Sequence, residues 1–180
     1  MIYTYNELLE SHKLDYQIKK ALQQNKLFKI EKGIYSNQPF PNPLEIITKK
    51  YPSAIFTMDS AFYFHGLTDV IPSKNYLAVK RDSIRIRDSG VIQIFMLERL
   101  LEIGKIQMNF DAVTINVYDK ERMLIELVRA KKRMAFDYYK EIIISYRKIS
   151  SILEVARIEK YVEAFDREDY IFKTIHDEVF

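Results

Sequence analysis

The chain has 180 residues, 48% of them hydrophobic and 29% charged, with a formal net charge of +3 and no cysteine. That balance suits one folded domain or two small ones rather than a disordered chain, and it excludes disulfides, thiolate metal sites and a cysteine nucleophile. No apolar run approaches the roughly 18 residues a bilayer span needs, and the start MIYTYNELLESHK has no signal-peptide pattern, so a cytoplasmic protein without a membrane partner is expected.

Charge is unevenly distributed. Residues 1–50 carry eight lysines against five acids, residues 70–150 carry sixteen bases against ten acids, and residues 151–180 carry four against eight. The basic stretches suit a polyanion, or are ordinary solvated surface.

Thr4-Tyr5-Asn6-Glu7 has the form of a capping box and predicts a short helix from Tyr5 to about Ser11. His12-Lys13-Leu14 makes a short connection. Asp15 is a second N-cap candidate, before a helix from Tyr16 to Gln24 with Ile18, Ala21 and Leu22 on one face. Leu27–Ile30 and Ile34-Tyr35, either side of Glu31-Lys32-Gly33, read as a small hairpin. Two short helices followed by a hairpin describe a winged helix-turn-helix. In that arrangement the second helix enters the major groove and the wing reaches the backbone. Tyr16, Lys19, Lys20 and Gln23 would face DNA, and Lys29 and Lys32 would meet phosphates. The alternative is a protein-docking module of the same shape that does not bind DNA. Most winged helices have a further helix in front of this pair.

Three of the five prolines fall within 38–43, and the domain boundary is expected within 37–43. This gives a winged helix-turn-helix over 1–38 and an α+β domain over 39–180. Asn42-Pro43-Leu44-Glu45 starts the next helix. SAFYFHGLTD (Ser60–Asp69) reads as an aromatic helix stopped at Gly66, with Phe62 and Phe64 packed inward. His65 then sits at a helix C-terminus, where the macrodipole and the last carbonyls favour it, and no second residue nearby completes a triad or ligand set.

Strands follow at Tyr76–Lys80 and Val91–Met96, and a hairpin at Lys105–Phe110 and Val113–Val117, with Thr114, Asn116 and Tyr118 on its wet face. Residues 81–88 are either a basic-faced strand or a charged loop. Asp119 caps a helix in which Arg122 and Glu126 can pair, worth a few tenths of a kcal/mol if exposed. A helix over 136–149, a capping box at Ser151–Glu154 and a last helix from Asp166 complete the chain. The expected fold class is α+β: the winged unit, then a small antiparallel-rich sheet packed with helices and a helical C-terminus.

Catalytic patterns are sparse. The four glycines, at 33, 66, 90 and 104, are isolated, so no phosphate-cradling loop forms. His12, His65 and His176 are too scattered for a metal site, and Asp111 with Asp119-Lys120 only loosely resembles a nuclease motif. Neither a cofactor nor a metal is expected, and the chain reads as a non-enzyme.

Three segments in order, KLFKIEKGIYS, SAFYFHGLTD and VYDKERMLIEL, resemble the AbiEi antitoxins, transcriptional regulators of bacterial type IV toxin–antitoxin systems active in abortive infection and phage defence. In the third segment Glu126 stands where that family more often has Asp. The resemblance implies repression of the protein's own operon through the operator DNA ahead of it, and neutralisation of a nucleotidyltransferase toxin with or without stable contact. It carries over Tyr16, Lys19, Lys20, Gln23, Lys29 and Lys32 as DNA contacts, and no catalytic residue.

Overall fold

The computed structural model describes residues 1–12 and 14–180; the predicted connection at His12-Lys13-Leu14 includes Lys13, which lies outside them. The fold is α+β, with two sheets in two compact units, Met1–Pro52 and Ser53–Phe180.

The first unit runs β1 (Ile2–Thr4), α1 (Tyr5–His12), α2 (Asp15–Gln23), β2 (Phe28–Glu31), β3 (Ile34–Ser36) and α3 (Pro43–Lys50). Its sheet is antiparallel, in the order β1-β3-β2. The capping box forms as expected. The Thr4 amide donates to Glu7 Oε2 at 2.8 Å and the Glu7 amide to Thr4 Oγ1 at 3.3 Å. Gly33 turns the hairpin at φ +81°, where a side chain would be strained, and its carbonyl accepts from the Tyr5 amide at 3.0 Å. Leu8, Ile18, Leu27 and Tyr35 form the core, with Ala21 and Leu22 packed on it.

Two expectations change in this unit. Leu14, not Asp15, occupies the N-cap of α2; Asp15 sits in the first turn, pairing with Lys19 and accepting from the Tyr5 hydroxyl. The boundary falls after Pro52 rather than within 37–43. The extended proline segment does not separate domains, because α3 folds back onto β1 and its Lys49 and Lys50 pair with Glu7 and Glu31. Asn42 caps α3 as predicted, accepting from the Leu44 amide at 2.8 Å. The strand β1 ahead of α1, and α3 behind the hairpin, supply apolar and polar contacts to this small core.

The second unit contains β4 (Ile55–Phe56), α4 (Met58–Phe64), β5 (Asn75–Lys80), β6 (Val91–Met96), α5 (Glu98–Leu101), β7 (Lys105–Phe110), β8 (Val113–Tyr118), α6 (Lys120–Ala130), α7 (Phe136–Lys148), α8 (Val155–Val162) and α9 (Glu168–Val179). Its sheet order is β6-β5-β4-β8-β7. The expected antiparallel-rich sheet is in fact mixed: β4–β5 and β7–β8 are antiparallel, whereas β5–β6 and β4–β8 are parallel. Parallel neighbours cannot be joined by a tight hairpin; β5 and β6 are joined over 81–90, and β4 and β8 over 57–112. Residues 81–90 are loop rather than strand. Asp111 and Ala112, both at positive φ, close the β7–β8 hairpin in a two-residue turn.

The helix α6 is the centre of this unit. Residues 121–128 and Ala130 are all buried, as in a helix covered on every side. Asp119 caps it, accepting from the Arg122 amide at 2.7 Å. Arg122 itself is completely buried. Its guanidinium donates to Glu126 Oε1 at 3.0 and 2.8 Å, to the Leu100 carbonyl at 2.8 Å and to the Ile103 carbonyl at 3.0 Å. The rings of Tyr118 and Phe165 lie 4.5 and 4.6 Å from its central carbon. Tyr118, expected on a wet face, is therefore buried, with its hydroxyl donating to the Leu101 carbonyl.

At the other end of the unit no capping box forms at Ser151–Glu154. Ser150–Ile152 make a 3-10 turn without a side-chain cap, and α8 starts at Val155. The acidic tail partly complements the basic middle, with Glu178 pairing with Lys131 and Asp166 approaching Arg99.

Truncating Arg122 leaves the Glu126 carboxylate buried with only Arg129 as an ionic partner, and two carbonyls without donors. Arg122→Ala is expected to lower the unfolding free energy of the chain by about 3–5 kcal/mol in urea titrations, against the few tenths expected of an exposed pair.

Candidate functional site

The helix α2 exists because Ile18, Ala21 and Leu22 bury one face, which leaves the opposite face in solvent. All six residues predicted to meet DNA are exposed: Tyr16, Lys19, Lys20 and Gln23 on α2, Lys29 on β2, and Lys32 in the turn before Gly33. Lys26, between α2 and β2, is exposed as well and was not singled out from the sequence, because nothing local distinguishes a turn lysine.

The charges of this unit are sorted. Lys49 and Lys50 of α3 are neutralised by Glu7 and Glu31, and Lys19 by Asp15 at 2.9 Å. Lys20, Lys26, Lys29 and Lys32 have no ion pair among the described residues. Among the described residues, the cations left free are thus on α2 and the segment that follows it. Leu14 and Tyr16, 61% and 69% exposed, add an apolar edge beside them.

The second unit has its own basic groove of about 630 Å³, between the end of α6 and the start of α9, with Val128 and Ile171 among its apolar lining residues. Arg129, Lys132, Arg133 and Arg167 surround it, and Arg129 is committed to Glu126. Arg81, Arg85 and Arg87 are exposed on the 81–90 loop.

SAFYFHGLTD becomes α4 and its exit. Phe62 is fully buried, and Phe64 packs on Phe56 and Phe110 at 5.1 and 4.6 Å. His65 closes the helix, but its ring bonds the Tyr118 carbonyl of β8 at 2.6 Å rather than a carbonyl of its own helix. A carbonyl only accepts, so Nε2 carries the proton in this contact. Burial pushes the imidazole below its ordinary value, against the pull of that hydrogen bond, and Lys120 adds to the depression. His65 is a neutral tie between α4 and β8, not a cation on a helix dipole.

Next to α4 lies a cavity of about 510 Å³ between the β5–β6 edge and the α6–α7 connection. Asp59 and Tyr138 line it, and neither was singled out from the sequence, since an acid in a first helical turn and a tyrosine in a helix carry no local mark. Burial raises the Asp59 carboxyl above its usual range, partly offset by a hydrogen bond from Tyr76. The nuclease pattern fails to assemble: Asp119 is used as a helix cap and as acceptor for the Tyr161 hydroxyl, and Asp111 lies in a hairpin turn. No group of acids and histidines able to hold a metal occurs among the described residues. No helix among them is long and apolar enough to cross a membrane.

No protein-family model matches the chain, and no curated protein matches it. Among solved structures it is similar to the RV2827C protein from Mycobacterium tuberculosis, with a TM-score of 0.59 over 97% of this chain and 72% of that one, at 13% identity. At that identity the likeness establishes a shared fold.

The depressed imidazole fixes a sign. Well above the ordinary histidine value of about 6.5 the tie has no pH dependence; on acidification the unfolded chain takes up a proton that the folded site resists, so stability falls. From about pH 7 to about pH 5 the wild type is expected to lose more unfolding free energy than His65→Gln, which keeps a donor for the Tyr118 carbonyl. Parallel pH profiles for the two proteins would remove the neutral-tie assignment.

Proposed function

We propose that the first unit is a winged helix-turn-helix that binds operator DNA upstream of the protein's own operon, and that the chain is the antitoxin of a type IV toxin–antitoxin system in the cytoplasm. The observation that carries the DNA half is the sorting of charge: Lys49 and Lys50 of α3 pair with glutamates and Lys19 with Asp15, while Lys20, Lys26, Lys29 and Lys32 are exposed and unpaired among the described residues. The order β1-β3-β2, with two helices before the β2–β3 hairpin, supports the same reading. In it α2 sits in the major groove with Tyr16, Lys19, Lys20 and Gln23 toward base edges and phosphates. Lys29 and Lys32 then lie along the adjacent backbone. The antitoxin half, and a nucleotidyltransferase toxin as functional partner, rest on the resemblance of SAFYFHGLTD and VYDKERMLIEL to the AbiEi family.

A second reading, a protein-docking module without DNA binding, is favoured by the exposed Leu14 and Tyr16. Gel-shift titrations over a salt series separate the two. Binding to the upstream DNA is expected to exceed binding to scrambled DNA, and the Lys20→Ala/Lys32→Ala protein to lower the slope of log affinity against log salt by about 2, near 0.9 for each lost phosphate contact. Equal binding to both DNAs, or an unchanged slope, favours the docking module. The same double variant, co-expressed with the adjacent nucleotidyltransferase gene, is expected to lose repression and keep neutralisation.

A further inference from the structure

The sheet of the second unit ends in two edge strands, β6 and β7, and the two edges differ in kind. An edge strand carries unpaired amides and carbonyls, so it pairs with other chain unless something blocks it. At β6 a block is present. The Gln93 side chain grips the backbone of the 81–90 loop, accepting from the Ile86 amide at 2.8 Å and donating to the Ile84 carbonyl at 3.0 Å. That loop sets the exposed Arg81, Arg85 and Arg87 beside the strand.

At β7 no such device occurs among the described residues. The strand keeps an unbroken register against β8, so it has no bulge. From Ile106 to Phe110 it contains no charge and no proline. Lys105, at its start, is paired with Glu102. No strand lies on its outer side.

The hairpin fixes which groups face outward. The two-residue turn at Asp111-Ala112 closes on a hydrogen-bonded pair, Phe110 with Val113. Bonded and non-bonded pairs then alternate. Phe110, Met108 and Ile106 turn their backbone groups to β8, and Asn109 and Gln107 turn theirs away from it. Asn109 Oδ1 accepts from Thr114 Oγ1 at 2.7 Å, a side-chain contact of the closer, non-bonded kind of pair. Gln107 and Asn109 are exposed, and Ile106, Met108 and Phe110 on the other face are only partly covered.

We propose that two copies of the chain pair through β7, antiparallel about a two-fold axis at Met108, so that their five-stranded sheets become one continuous sheet. The free backbone groups set this register. An axis at Ile106 or Gln107 needs the Lys105 amide, which already donates to the Glu102 carbonyl at 3.3 Å. An axis at Asn109 runs Gln107 into the Asp111-Ala112 turn. An axis at Met108 uses only Gln107 and Asn109, each exchanging both backbone hydrogen bonds with the other residue of the second copy. It seats Ile106 against Phe110 of the second copy and Met108 against its own counterpart, which covers the partly open face of both. Lys105 comes opposite Asp111 of the second copy, so unlike charges meet at each end. A two-fold contact requires this self-complementarity, and it selects a second copy over an unrelated strand.

The chain has no cysteine, so one introduced thiol reports the register. At Met108 the two Cα atoms form a directly opposed, non-bonded pair about 4.5 Å apart, within reach of a disulfide. At Gln107 they are offset along the strands to more than about 7 Å, beyond that reach. Met108→Cys is therefore expected to form a covalent dimer under mild oxidation, and Gln107→Cys to remain monomeric. Sedimentation of the full-length wild type is expected to show a monomer–dimer equilibrium with Kd below about 1 mM. Met108→Lys, which sets two ammonium groups face to face, should weaken it about tenfold or more, and an equimolar mixture of Met108→Lys with Met108→Asp should restore it. Melting curves establish that the variants are folded, and the two cysteine variants serve if Met108→Lys is not. A wild type that stays monomeric up to about 1 mM overturns the proposal. So does equal cross-linking of the two cysteine variants, or a folded Met108→Lys protein that associates as the wild type does.

Discussion

One buried guanidinium holds the second unit together. Arg122 satisfies two carbonyls from the α5–β7 connection, fixes the buried Glu126 carboxylate and is flanked by rings from β8 and from the segment ahead of α9. A charge removed from water is stable only when nearly every donor is used and an anion lies close, and here four donor contacts meet those conditions. The backbone is shaped around it. Gly104 has φ +75°, and a methyl group there would come within 2.4 Å of Arg122 Cβ, so this close approach admits glycine alone. The Gly104 carbonyl in turn accepts from the Asp119 amide at 2.7 Å, and Asp119 caps α6. The sheet, the central helix and the C-terminal helices therefore share a single polar contact network.

Signals that act within four residues were legible in the sequence. Thr4 with Glu7, Asn42 with Pro43, and Asp119 all cap the helices they were expected to cap, because a cap depends only on its own turn. The two-residue turn at Asp111-Ala112 is equally local. Three other features depend on distant chain. The parallel pairing of β5 with β6 is decided by which strand lies beside which. The burial of Arg122 reflects carbonyls 19 and 22 residues away. The unit boundary moved to Pro52 because the lysines of α3 found glutamate partners on α1 and β2 that no local pattern displays. Ser151–Glu154 shows the converse: a capping-box spelling fails where the chain turns through a 3-10 segment.

The same division applies to the functional surfaces. The exposed residues of α2 could be read from helical periodicity, since the apolar face defines its opposite. The charge sorting could not, because it needs the partners of Lys49 and Lys50. Asp59 and Tyr138 became visible only when the sheet edge and the α6–α7 connection came together.

The central claim is that α2 and the hairpin after it form a DNA-binding face. Amide chemical-shift mapping of the full-length chain on titration with a duplex from upstream of its operon tests this most directly. The account predicts that the largest changes cluster at Tyr16–Gln23 and Lys29–Lys32. Shifts confined to residues 53–180, or none at saturating duplex, would contradict it.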